Sequence, residues 1–319
     1  MDPLVVYGAI GVVVLVVAWY MMKIVSAAER RKRLLDKSRE IKVTELNIYP
    51  IKSCCQVRCQ KVQIDKYGFE YDREWMVVDD SKYRMVTARQ IPKLMLVKPT
   101  IGATSLTINA PDMPTIEVPL AGLENNTAFT VGVWKQTSAG IDQGDEVAAW
   151  FTKYLGKSVR LVRVPRSNPD LPNLSVGNPK YHVPNASIIT AFSDGFPYLV
   201  LSEESLEWVN REVKDKPDGQ LSTKRFRPNI VVKGASALEE NQWREITVKD
   251  VPFYLTKACP RCKMTTIIPE KGAYGNKEPL VTITAKNNGN FGQNAMHATG
   301  AEGTWIKVGD TVRVINVAA

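Results

Sequence analysis

Histidine is nearly missing from this chain. Its 319 residues hold two, His182 and His297, far apart, which argues against a histidine-rich metal site. Cysteine is sparse and odd in number, at five. That is too few for a disulfide scaffold and points to a reducing compartment. No G-x-G-x-x-G followed by a suitable acidic residue occurs, so the chain should not bind a dinucleotide such as NADH itself. Internal repeats, low-complexity tracts and the basic–aromatic motifs of nucleic-acid modules are also absent. A composition 44% apolar and 24% charged excludes disorder as the main state. The net charge is +9, and residues 1–40 supply seven basic and four acidic side chains of it. The mild excess beyond them fits an anionic small ligand, an acidic protein partner, a membrane surface, or a plain solvated basic surface.

Charge is missing altogether from Pro3 to Met22, a run of 20 residues. As a helix it spans about 30 Å, the thickness of a bilayer's hydrocarbon core. Trp19 and Tyr20 lie near one end, and Lys23, Arg30, Arg31, Lys32, Arg33, Lys37 and Arg39 follow. A basic flank of this kind predicts an uncleaved transmembrane anchor with the rest of the chain in the cytosol. A cleaved signal peptide would need a positive leading region and a shorter apolar core.

The remaining chain predicts an α+β fold that is mostly β. Ile41–Tyr49 carries a partly alternating strand pattern. Strands are also expected at 72–78, 85–89, 105–108, 115–118, 198–201, 229–232, 246–248, 253–256 and 312–317. Helices are expected at 145–155, stopped by Gly156, and from a Ser202 cap to Val213. Residues 167–184, rich in Pro, Asn and Ser, read as a linker or surface loop. The division expected is an anchor and basic stalk over 1–40, a β-rich unit over 41–165 and a β-barrel-like unit over 176–317.

Five constellations could carry chemistry. Cys259-Pro260-Arg261-Cys262 follows an extended run, so its thiols are expected just past a strand end. An arginine beside Cys262 favours the thiolate. A redox dithiol, half a zinc site, and a single thiolate ligand beside a structural cysteine all remain open. Arg225, Arg227 and Asn229 would share one face of an extended chain and suit a phosphate or carboxylate. Lys52 and Ser53 present an ammonium and a hydroxyl after the first strand. Arg73, in Asp72-Arg73-Glu74-Trp75, is an anion contact or an ion-pair partner. Asp194 is a turn residue, or a proton donor if it faces the thiols.

In this order, Y-P-I-K-S, D-R-E-W, M-V-T-A-R-Q, R-F-R-P-N-I-V-V, A-C-P-R-C and V-G-D-x-V resemble the MOSC-domain molybdenum enzymes. With an anchor and a preceding β-domain, the chain is similar to the membrane-bound amidoxime-reducing branch. The resemblance implies a molybdenum cofactor, Mo-molybdopterin, ligated by Cys262. It implies that Lys52, Ser53, Arg73, Arg227, Asn229, Pro260 and Arg261 hold the pterin and that Asp194 is the active-site acid. It implies reduction of N-hydroxylated compounds with electrons from NADH through cytochrome b5 reductase and cytochrome b5. The location implied is the outer mitochondrial membrane, with the peroxisome as a second site. Two places depart from the pattern. Gly195 and Phe196 stand where small hydroxylated residues are common, and Asn294 replaces an aromatic contact. A tethered cofactor carrier without turnover is the alternative reading, and a zinc-stapled module a third.

Overall fold

The computed structural model describes residues 3–122, 126–166, 174–175, 180, 183, 189–213 and 220–318, with side chains from residue 15 onward except at 175. His182 and most of the 167–184 segment lie outside the described residues.

Seven strands close a barrel: β1 (Ile41–Ile48), β2 (Tyr198–Ser202), β3 (Ile230–Lys233), β4 (Trp243–Val248), β5 (Val251–Pro260), β6 (Asn290–His297) and β7 (Thr311–Val317). The cyclic order is β1-β3-β2-β6-β5-β4-β7, and β7 returns to β1. Neighbours are antiparallel except β2 and β3, which run parallel. The helix Glu203–Glu212 lies between these two in sequence, as a parallel crossover requires. Ser202 caps that helix, its Oγ accepting from Ser205 N at 3.1 Å.

Closure leaves no open edge, and an apolar core fills the inside. Trp243, Tyr198, Phe253, Leu46 and Val232 are each almost wholly buried there. Each such side chain contributes about 1.5–3 kcal/mol by leaving water. The partial alternation in β1 has a local cause. Ile41 and Val43 point inward, a register shift falls between Val43 and Glu45, and Leu46 and Ile48 then point inward. One extra residue swaps the faces of everything after it.

The strand that opens the 41–165 segment is therefore a barrel stave. The rest of that segment forms separate sheets. Trp75–Asp79, Val159–Arg163, Gln136–Asp142 and Ala128–Val133 make one, in that order. Lys98–Ile101, Ser105–Asn109 and Ile116–Pro119 make a meander. The helix Asp145–Leu155 packs Val147, Trp150, Phe151 and Leu155 onto a second core with Trp75, Leu106 and Ile108. It ends at Gly156, whose φ of 67° is left-handed.

Three expectations change. The strand expected at 85–89 is reduced to isolated bridges, Val78 to Met85 and Arg84 to Gly132. The strand expected to stop at Thr256 runs on to Pro260, so Cys259 sits inside it and only Cys262 lies beyond. The stave Asn290–His297 and the helix Leu280–Asn287 were not expected.

The helix Pro3–Leu34 covers the charge-free run. Among the described residues no helix is long and apolar enough to cross a membrane. Side chains 3–14, most of that run, are outside the description. From Leu15 to Val25 the apolar side chains are exposed. Leu34, by contrast, is buried in the barrel core. Arg39 grips Glu239 with two hydrogen bonds of 2.6 and 2.9 Å. The last turn of the stalk is thus part of the barrel's packing.

Candidate active site

All nine predicted site residues line one cleft: Lys52, Ser53, Arg73, Asp194, Arg227, Asn229, Pro260, Arg261 and Cys262. It forms where the loop after β1, the approach to β3 and the end of β5 meet the first unit.

The loop after β1 is pinned by Trp75, whose carbonyl accepts from Lys52 N at 2.7 Å. Ser53 then takes a φ of 72°. Lys52 is buried, and its Nζ donates to the Phe192 carbonyl at 2.7 Å and to the Asp194 carboxylate. Burial pulls the Lys52 ammonium down from its ordinary value, while Asp194 pulls it back up. Asp194 itself lies at the cleft wall with its side chain 69% exposed. Its surroundings favour the neutral form, but the Lys52 ammonium outweighs them. With a hydrogen bond from Trp134 Nε1 (2.9 Å) and nearby Arg89, it holds Asp194 well below the usual carboxylate range. The pair therefore rests as ammonium and carboxylate.

Arg73 and Arg227 flank the buried ring of Tyr49, each guanidinium carbon 4.1 Å from its centroid. Arg73 Nη1 donates to Asn229 Oδ1 at 2.9 Å and to Asp72. Arg227 Nη1 donates to the Cys54 carbonyl at 2.7 Å. Asn229 spends its amide on the protein: Oδ1 accepts from Arg73 and Leu199 N, and Nδ2 donates to the Asn47 carbonyl. It orients Arg73 and ties β1 to β3.

The extended face expected for Arg225, Arg227 and Asn229 is not formed. Thr223–Arg225 is a turn of 3-10 helix, Arg227 has a φ of 59°, and β3 starts only at Ile230. The turn still brings Arg225 and Arg227 to the cleft, Arg225 anchored on the Thr265 carbonyl at 3.2 Å.

The two thiols differ. Cys262 is exposed, and its carbonyl accepts from Thr265 N at 3.0 Å, which starts a short 3-10 turn. Cys259 is half-buried in the strand. The expectation that Arg261 serves its sequence neighbour fails: Nη1 donates to Cys259 Sγ at 3.1 Å, and Nη2 to the Phe226 carbonyl at 2.8 Å. Adjacent side chains on an extended backbone point apart, while those two positions apart share a face. Two register shifts in β5, after Leu255 and after Ala258, re-aim this end of the strand. The Arg261 Nε is buried and has no hydrogen-bond partner among the described residues.

Among the described residues no three His, Cys, Asp or Glu side chains are grouped to hold a metal ion. Cys54 is buried near Arg227 and away from any such group.

Thr87, Arg89 and Trp134 complete the wall and were not predicted. Arg89 lies over the Trp134 ring at 3.8 Å. A signal for Trp134 existed. It sits with Lys135 in a two-residue turn between the strands Ala128–Val133 and Gln136–Asp142, where Asn and Gly are usual because φ must be positive. Its φ is 53°. Ser53, Arg73, Trp134 and Arg227 are all left-handed non-glycine residues of this one cleft. Each costs about 1–3 kcal/mol, and such strain clusters where function needs it.

The chain matches the MOSC N-terminal beta barrel domain over residues 40–158 and the MOSC domain over residues 189–313. It is 37% identical over 265 residues to mitochondrial amidoxime reducing component 2 of Bos taurus, covering 80% of this chain and 74% of that one. Identity to component 2 of Rattus norvegicus is 35% over 263 residues, covering 81% and 75%. For component 1 of Homo sapiens it is 33% over 262 residues, covering 80% and 74%. Both domains in this order, with relatives matched over most of their length, show that the chain belongs to the family of the mitochondrial amidoxime reducing components.

Proposed function

We propose that the protein is a molybdenum-cofactor reductase of N-hydroxylated compounds such as amidoximes and hydroxylamines. One observation carries the reading: a single exposed thiol stands in a cleft whose walls hold Lys52, Arg73, Arg227 and Arg261. The name shared by the relatives, amidoxime reducing component, supports the substrate class.

The donor set fits an anionic pterin that carries a soft metal. Arginine and lysine suit a phosphate, and a thiolate suits molybdenum better than a hydroxyl does. Cys262 would be the protein's ligand. Lys52, Ser53, Arg73, Arg227 and Arg261 would hold the pterin, and the unpartnered Nε of Arg261 has a donor to give it. Asn229 acts one step back, by fixing Arg73. The cofactor, when bound, supplies the electrons that cleave the N–O bond.

The chain supplies protons and position. Cleaving N–OH to water consumes protons, so an acid must face the reacting group. In the resting pair Lys52 bears the proton and Asp194 holds it in place. Trp134 Nε1 donates to the same carboxylate oxygen, Oδ1, and helps to hold it. Asp194 is thus half of a proton-carrying pair, not an isolated acid.

Electrons would come from NADH through cytochrome b5 reductase and cytochrome b5. The helix Pro3–Leu34 would anchor the protein in the outer mitochondrial membrane, which its charge-free run and basic flank support. The test is benzamidoxime reduction by full-length protein with cytochrome b5 and its reductase, alongside metal analysis. Molybdenum with turnover is expected. Molybdenum without turnover would favour a carrier, and zinc instead of molybdenum would overturn the reading.

A further inference from the structure

A second groove, of about 810 Å³, adjoins the cleft and shares Thr87, Arg89 and Trp134 with it. Its charge is one-sided. Lys82, Arg84, Arg89, Lys135, Lys157 and Lys263 line it, against a single carboxylate, Asp79. That carboxylate is already taken: Lys157 pairs with it at 2.8 Å, and the Ser81 hydroxyl and backbone N–H groups of the turn bind it too. Arg84 donates to the Trp134 carbonyl at 2.7 Å and stiffens the wall. Lys82, Lys135 and Lys263 are exposed, and the Lys263 ammonium lies 5.6 Å from the centroid of the Tyr274 ring. Lys263 is the residue after the exposed thiol Cys262, which lines the adjoining cleft.

Like charges crowded around a hollow repel one another unless an anion enters, and a concave wall concentrates their field. A hollow of this size opening onto the cleft is also shaped for part of a small molecule more than for the face of a protein. We infer that this groove is an anion subsite, and that the N-hydroxylated substrates the protein handles best carry a carboxylate or phosphate group. The anionic end sits among Lys82, Lys135 and Lys263, and the N-hydroxyl end reaches into the cleft past Trp134. This inference rests on the reductase reading for its substrate and on the groove's charge for its anion.

The test uses the full-length holoprotein and the charge-reversed double variant Lys82→Glu/Lys135→Glu. Both positions are exposed and stand outside the cleft, so folding and cofactor content should be kept. Inorganic pyrophosphate is titrated by calorimetry, which needs no turnover. The wild type should bind it, and the double variant should bind it at least about tenfold more weakly, the loss shrinking in high salt. In turnover, 4-carboxybenzamidoxime should show a KM raised about tenfold in the variant with kcat unchanged, while neutral benzamidoxime should keep its KM.

Pyrophosphate that fails to bind, or binds both proteins equally, overturns the inference and leaves the reductase reading standing. Charge-dependent binding with no amidoxime turnover supports the subsite and overturns the reductase reading. If the variant fails to bind pyrophosphate differently but slows both substrates alike, the groove serves the electron-donating protein and the inference falls.

Discussion

At the scale of the residue, the cleft is built from side chains that hold one another. Lys52 and Asp194 neutralise each other, and Arg73 and Arg227 share the ring of Tyr49. Asn229 locks Arg73 from behind. The sequence made Lys52, Arg73, Arg227 and the thiols legible because charged and soft donors stand out in an ordinary composition. It could not tell that Arg261 turns to Cys259, since that depends on register shifts inside β5. Nor could it tell that Asp194 would be held ionised, since Lys52 is 142 positions away in sequence. The pairing gives a specific expectation. Asp194→Asn keeps its hydrogen-bonding shape but leaves the buried Lys52 ammonium without its counter-charge. Molybdenum content should be unchanged, and kcat should fall about 10²-fold, in the range a positioned proton-transfer group contributes. The pH profile of kcat should shift as well, because the Lys52 ammonium is no longer stabilised. Unchanged kcat with an unchanged profile would reduce Asp194 to a turn residue.

At the scale of the element, runs rich in Val, Ile and aromatics announced themselves as strands and became staves or sheet members. The stave Asn290–His297 did not, because Asn, Gly and Gln are poor strand formers. Its place is fixed by neighbours on both sides. Gly292, at a φ of 77°, leaves room for the Val200 carbonyl, which an added Cβ would approach to 3.0 Å. A sharper constraint sits at Gly234, which ends β3. Its φ is 103°, and a Cβ there would lie 2.3 Å from the Glu40 carbonyl. Gly234→Ala should therefore destabilise the barrel by more than about 2 kcal/mol, read as a lower urea midpoint. A shift within error would mean that the β1–β3 corner can open.

The end of the same stave carries His297, fully buried with Nδ1 3.0 Å from the Tyr198 hydroxyl. Burial lowers its pKa below 6.5, while Glu302 and, more weakly, Asp65 pull it back. The unfolded chain then binds a proton that the folded one refuses. Stability is fully present above the unfolded pKa of about 6.5 and is lost as pH falls below it. Urea midpoints should drop between pH 7.5 and pH 5.5, and less so in His297→Gln. Equal slopes in the two proteins would remove His297 from the account.

At the scale of the whole molecule, the two units are laced together. β1 comes from the first and closes the barrel, and Trp305–Lys307 returns from the second to pair with Lys61–Asp65. Such lacing is a property of distant pairings and was invisible to local patterns, which read 41–165 as a unit of its own. The stalk is laced in too. Leu34 belongs to the barrel core, and the Arg39 pair with Glu239 is mostly buried. A chain starting at Leu34 should fold as a soluble holoprotein. One starting at Ile41 leaves Glu239 buried without its partner and should be about 3 kcal/mol or more less stable. Equal melting temperatures would show that residues 34–40 add nothing.

In the proposed function, Cys262 alone among the thiols would ligate molybdenum in this cleft. The direct measurement is the molybdenum content per chain of wild type, Cys262→Ser and Cys259→Ser, purified identically, with benzamidoxime reduction scored beside it. Cys262→Ser should lose nearly all activity, since a hydroxyl is a harder and weaker donor than a thiolate. Cys259→Ser should keep its molybdenum and much of its activity, losing only the contact with Arg261. Full activity in Cys262→Ser, or equal loss in both variants with molybdenum still bound, would contradict the account.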